Sequence, residues 1–368
     1  MTITVQHGET TGIAGIDNYV SVDSYGAEAN AFIVAHVRSS DTSQIGPQNW
    51  QIRAITVSPW NQIRLQNNGS NGVCAWQVVR CDDGEFSVQK INDSFTGTNL
   101  TKNHTITAVD LSRTLVLVTE RPGGSLTTSQ WLQAGAATYA KARLTTTTNV
   151  EVTRGASFTG LTNNYTVFVV QFATTLGIAV EQLLIDDAFS GTPEAAALTG
   201  DYSTDDTWLY ASWSHATNSP AGLSARLAMD FTNDEVDYSR ESGVAASSTS
   251  KAAVSLLKFD PGVLTLQETA TLDPTETSIA ITLAEPVNVS KSVIFASVAS
   301  GAESVNVDFP CHLLTPVFTS ITDGFSSEIT VTRSLAVESV DVTVYVIDFS
   351  GGVPSENQAV NMMMGHPI

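Results

Sequence analysis

One interval recurs along this chain and restricts what it can fold into. A Gln ends a short β-rich run at Gln6, Gln89, Gln182 and Gln267, and 26 residues later a strongly apolar run begins at Phe32, Leu115, Trp208 and Val293. Chance matches between valine-rich segments would not hold one spacing four times. Self-similarity at a fixed period is the signature of a repeat architecture. Further landmarks keep step. An Arg or His opens the next run at Arg53, Arg143, Arg226 and His312, and another Arg sits in the run after it, at Arg64, Arg154, Arg240 and Arg333. Each unit closes on a third apolar run, ending at Cys81, Phe172, Phe259 and Phe349.

These landmarks divide the chain into units 1–83, 84–174, 175–260 and 261–350, each about 85–90 residues, with a tail at 351–368. Within the second unit, Phe86 to Ile91 and His104 to Val109 alternate apolar and polar residues, the pattern of half-buried strands. Leu115 to Val118 is continuously apolar and reads as a buried central strand. Ala142 to Thr146, Asn149 to Arg154 and Thr166 to Phe172 complete the set, with turn residues between. Six to eight short strands per unit predict an all-β chain of four tandem β-sandwiches, immunoglobulin-like or jelly-roll-like. Such a sandwich is expected to close its core within one unit. Helical periodicity is confined to single turns near Gln130 to Lys141 and Glu194 to Leu198. The units adjoin with almost no linker, which predicts a stiff or folded-back string.

Composition narrows the function. Asp plus Glu number 37 against 17 Lys plus Arg, a formal charge of −20, and a field of that sign repels phosphate backbones, which argues against nucleic acid as a partner. No apolar run approaches the roughly 18–20 residues of a membrane span, and the N-terminus lacks the charged and apolar regions of a signal peptide. Synthesis in the cytoplasm, without membrane insertion, is the expectation. Cys74, Cys81 and Cys311 make an odd, sparse set with no C-x-x-C pair, so core packing is expected rather than disulfides or zinc.

No catalytic signature stands out. The six histidines form neither H-x-H nor H-E-x-x-H, and there is no nucleophile elbow or phosphate loop. No catalytic, cofactor-binding or metal-binding residue is assigned, and no cofactor is expected. Acidic clusters at Asp82-Asp83-Gly84-Glu85, Asp186-Asp187 and Asp205-Asp206 offer Ca²⁺ ligands but lack the spacing of a calcium loop. Trp50, Trp60, Trp131 and Trp213 stand outside the most regular strands, where indoles stack on sugars or fill cores. The tail carries Met362, Met363, Met364 and Ile368, an adaptable apolar surface suited to docking on a neighbouring subunit.

The second unit, from Ser94-Phe95-Thr96-Gly97 through Ile106 to Arg113 and on to Val152-Thr153-Arg154-Gly155 and Val169-Val170-Gln171-Phe172, resembles β-sandwich repeats in virion proteins of tailed bacteriophages. The likeness covers roughly 90 residues. It implies a structural component of a tail, fibre or head surface that acts by assembly with other virion proteins and with copies of itself. A carbohydrate- or receptor-binding adhesin is the alternative, with a host glycan or receptor as partner. A polysaccharide depolymerase is a further one.

Overall fold

The computed structural model describes residues 2–13, 17–39, 52–67, 72–123, 139–155, 157, 162–185, 194–200, 202–203, 206–215, 228–232, 235–239, 250–259, 263–300, 314–334, 336 and 339–350. Strands run in chain order as follows. The first six are β1 (Thr4–Ile13), β2 (Asn18–Ser21), β3 (Ala31–Ser39), β4 (Arg53–Val57), β5 (Gln62–Gln66) and β6 (Gly72–Arg80). The next six are β7 (Phe86–Phe95), β8 (Thr101–Thr105), β9 (Thr114–Gly123), β10 (Ala140–Thr146), β11 (Asn149–Arg154) and β12 (Thr162–Phe172). Then come β13 (Ala179–Ile185), β14 (Glu194–Ala197), β15 (Thr207–His215), β16 (Ala228–Thr232), β17 (Glu235–Ser239) and β18 (Ser250–Lys258). The last are β19 (Leu264–Leu272), β20 (Ser278–Asn288), β21 (Ser292–Ser300), β22 (Leu314–Thr322), β23 (Phe325–Arg333) and β24 (Val340–Asp348).

The fold is all-β, and its strands form three-stranded antiparallel sheets. One sheet of the first six strands is β1-β6-β3 and the other β2-β5-β4, and the orders β7-β12-β9 with β8-β11-β10, β13-β18-β15 with β14-β17-β16, and β19-β24-β21 with β20-β23-β22 follow the same plan. We call these the first to fourth sheet pairs. Short 3₁₀ turns precede β3, β9 and β21; Asp110 and Asn288 cap two of them by accepting the N–H of the residue two positions on.

The closing strand, not the run after the Gln, is central in its sheet. β6, β12, β18 and β24 each lie between two partners, and their even and odd residues are both apolar because both faces are covered. In β12, Tyr165, Val167 and Val169 face the second pair's own core with Phe95, Ile106, Val116, Val150 and Val152. The alternate residues Phe168, Val170 and Phe172 enter a cluster that also contains residues of the first, third and fourth pairs. The core is therefore not closed within one unit. β3, β9, β15 and β21 are sheet edges that are buried for a different reason: they meet around a common centre.

Three local readings change. Glu194–Ala197 is strand, paired with β17, because tertiary pairing outweighs the helix preference of alanine. Lys141 likewise lies in β10, while most of the Gln130 to Lys141 stretch lies outside the described residues. The predicted strand His104 to Val109 stops early, since β8 ends at Thr105 and Ile106 and Val109 plug the core from the following loop. Gly8 in β1 faces Trp76 across the sheet, where any Cβ would overlap the indole.

Candidate functional site

The sheet pairs close head to tail. β4 of the first pair lies on β9 and β12 of the second, β10 on β15 and β18, β16 on β21 and β24, and β22 of the fourth returns to β3 and β6 of the first. Strand register makes the joints equivalent. Ala54, Ala142 and Pro316 occupy one position in the packing strand, being opposite Leu65, Val152 and Val331. At the joint between the first and second pairs, the Ala54 N–H donates to Thr119 Oγ1 (3.2 Å) and Lys90 Nζ to the Thr56 carbonyl (2.8 Å). At the next joint the Ala142 N–H donates to Ser212 Oγ (3.2 Å) and the Leu144 N–H to Gln182 Oε1 (3.2 Å).

The closing joint between the fourth and first pairs uses other chemistry at the same places. Pro316 has no N–H to give. Instead the Ala296 N–H donates to His36 Nε2 (3.1 Å), which fixes the neutral tautomer with its proton on Nδ1. His7 stands where Lys90 and Gln182 stand elsewhere; its Nε2 donates to the Val289 carbonyl (2.9 Å) and its ring meets Phe318 edge-on at 5.1 Å. Gln77 bonds both backbone groups of Ile294, at 2.7 Å each. Burial holds both imidazoles down at about 4, and for His7 backbone bonds at Val289 and Ser292 offset part of that pull.

Where the edge strands meet lies a cavity of about 190 Å³. Residues of β3, β9, β15 and β21 line it, with Tyr139, Ala140 and Leu314. The lining is mainly apolar, from Val34, Leu117, Tyr210, Trp213 and Phe295, and His36, Thr119, Glu120, Ser212 and Ser297 interrupt it. Tyr210 is anchored by its hydroxyl, which accepts from the Val118 N–H and donates to the Val118 carbonyl at 3.0 and 3.1 Å. Glu120 takes a long bond from Asn163 Nδ2 (3.3 Å) and keeps part of its surface open to the cavity. Desolvation pushes its carboxyl well above the usual range, outweighing the bonds from Asn163 and the Ala140 backbone.

A group raised in the folded state stabilises below its unfolded value and loses that contribution as pH rises through the folded one. Glu120→Gln therefore gains stability over the wild type as pH rises above the ordinary carboxyl range and leaves stability near pH 4 unchanged. Urea unfolding across this range measures it; parallel slopes for both proteins would refute the assignment.

The remaining candidates separate. Glu85 of the first acidic cluster accepts from Thr2 Oγ1 (2.6 Å) and the Thr2 N–H, and Asp206 accepts from Thr207 Oγ1 (2.7 Å) and the Ser203 N–H (3.1 Å). Among the described residues no group of three His, Cys, Asp or Glu is placed to hold a metal ion. Trp60 packs on the core and on Tyr25 rather than standing free. Cys74 and Cys81 are buried thiols. Met362, Met363, Met364, Ile368, Cys311, Trp50, Trp131, Asp186, Asp187 and Asp205 lie outside the described residues. The recurring Arg resolves into two environments. Arg154 and Arg333 are buried at strand ends and donate to backbone carbonyls, whereas Arg64 is partly exposed beside Asp17 at 3.4 Å. Sequence reasoning missed the joint residues and the cavity because both arise only when distant strands meet. No protein-family model and no curated protein matches the chain.

Proposed function

We propose that the protein is a structural component of a tailed-bacteriophage virion, built of four tandem copies of one sandwich module and acting by assembly with other virion proteins and with further copies of itself. The observation that carries this reading is the closed circuit of joints: polar side chains at recurring positions, different in kind from joint to joint, hold neighbouring sheets together. A circuit of sheets held this way suits a load-bearing part. Among the described residues that line the cavity Glu120 is the one carboxyl, where glycoside cleavage needs two. The strongly acidic chain stays soluble at the high local concentration that assembly demands.

Mass spectrometry and labelled electron microscopy of purified particles test the proposal. The expected result is the protein at fixed copy number and one repeated position. Its absence from washed particles would overturn the reading.

A further inference from the structure

The closing joint differs from the others in two ways that belong together. It joins elements 217 to 288 residues apart in sequence, from Gln77 with Ile294 and His36 with Ala296 to Arg38 with Thr315, His7 with Val289 and Lys291 with the Ile3 carbonyl, so it can part without the chain being drawn apart locally. It also places imidazoles at two positions, 7 and 36, where the first two joints carry Lys90 with Thr119 and Gln182 with Ser212. We infer that acid opens the molecule at this one joint, and that the freed face of the fourth sheet pair then docks on the first sheet pair of a second copy.

The chemistry runs in one direction. Protonation puts an N–H on His36 Nε2, where the Ala296 N–H already points, so the bond is replaced by two opposed donors. Protonation of His7 keeps its bond to Val289 but places a charge beside the Phe318 ring in a desolvated seam, where burial opposes it. The charged neighbours give no relief. Arg38 pairs with Glu9 at 3.6 Å and donates to Thr315, Lys291 adds a positive charge by Ile3, and Glu120 across the cavity is held neutral in acid. Among the described residues no carboxylate pairs with either imidazole. Both groups are lowered in the folded state, so their contribution is complete above about 6.5 and is lost as pH falls through about 4.

The partner follows from the geometry. The joint is heterologous: β22 on one side, β3 and β6 on the other, and the two faces do not complement themselves. A released β22 face therefore fits the first sheet pair of another molecule, as in domain exchange. At low protein concentration the internal contact prevails.

Spin labels at Thr11 and Thr322 report the closing joint, and labels at Thr145 and Ala179 an internal one, in a Cys311→Ser background. Between pH 7 and pH 4 the long-distance population across the closing joint should rise at least about a hundredfold while the internal pair stays fixed. Light scattering at pH 4 should give a concentration-dependent doubling of mass. His7→Gln with His36→Gln keeps a donor and an acceptor but does not titrate, and should hold the joint shut. Simultaneous loosening of both joints, or no movement at pH 4, overturns acid opening. So does a doubled glutamine variant that opens like the wild type. An opened chain that stays monomeric at high concentration overturns the docking.

Discussion

Methionine in place of Arg154 lowers unfolding stability by about 2–4 kcal/mol. The side chain is 1% exposed and lies 5.1 Å above the Phe95 ring. Its Nε donates to the Asn99 carbonyl (2.8 Å) and its Nη2 to the Gly97 carbonyl (2.7 Å), closing the turn between β7 and β8. Methionine fills most of the volume and leaves two carbonyls without a donor. Each hydrogen bond from a charged donor such as this guanidinium contributes about 1.5–3 kcal/mol. Lysine should not rescue the loss, because one ammonium cannot reproduce the planar fork that serves both carbonyls beside an aromatic face. Arg333 holds the matching turn of the fourth sheet pair through the Glu276 and Asp273 carbonyls, so its replacement should cost a similar amount. Urea midpoints of the two variants and of Arg154→Lys measure this. A change under about 0.5 kcal/mol, the size of an ordinary surface substitution, would sink the account.

Strand content and the recurrence of landmarks were legible because apolar alternation is a local property of the chain. The register of those landmarks was less so. By strand pairing, Val5, Val88, Val180 and Thr265 are equivalent, each in the row of Phe32, Leu115, Trp208 and Val293. Gln6 and Gln89 then follow by one residue, but Gln182 and Gln267 by two, which turns them to the opposite face. The role of Gln89 Oε1, accepting the Thr107 N–H at 2.7 Å, passes to Glu181 at Thr199 and to Glu268 at Ala284. A glutamine served two purposes on two faces, and equal spacing concealed the one-residue slip. The same pairing puts Asn67, not Arg64, in the place of Arg154. A buried edge strand such as β9 also cannot be told from a central one by apolarity, since neighbouring sheets bury it as effectively as neighbouring strands would.

That distinction between local and shared burial leads to the largest effect expected. Residues 84–174, excised, should fail to give a soluble folded monomer. Their own core is present: Phe95, Val116, Val150, Val152, Tyr165, Val167 and Val169 all pack within the second sheet pair. The other face of the same sheet presents Phe86, Val88, Leu115, Leu117, Phe168, Val170 and Phe172, all buried in the cluster shared with the other pairs. Exposing one such side chain costs about 1.5–3 kcal/mol, so seven together, about 10–20 kcal/mol, match or exceed the 5–15 kcal/mol that a typical domain holds in reserve. The exposed face would also form one contiguous apolar patch of the kind that drives association. A string of self-sufficient sandwiches predicts the opposite outcome, a folded monomer with dispersed amide resonances. Replacing Leu117, Phe168 and Val170 by threonine should restore solubility to the fragment while destabilising the full chain, because β propensity is kept and the shared face is lost. Gel filtration and amide spectra of the fragment, with and without these substitutions, decide between shared and separate cores.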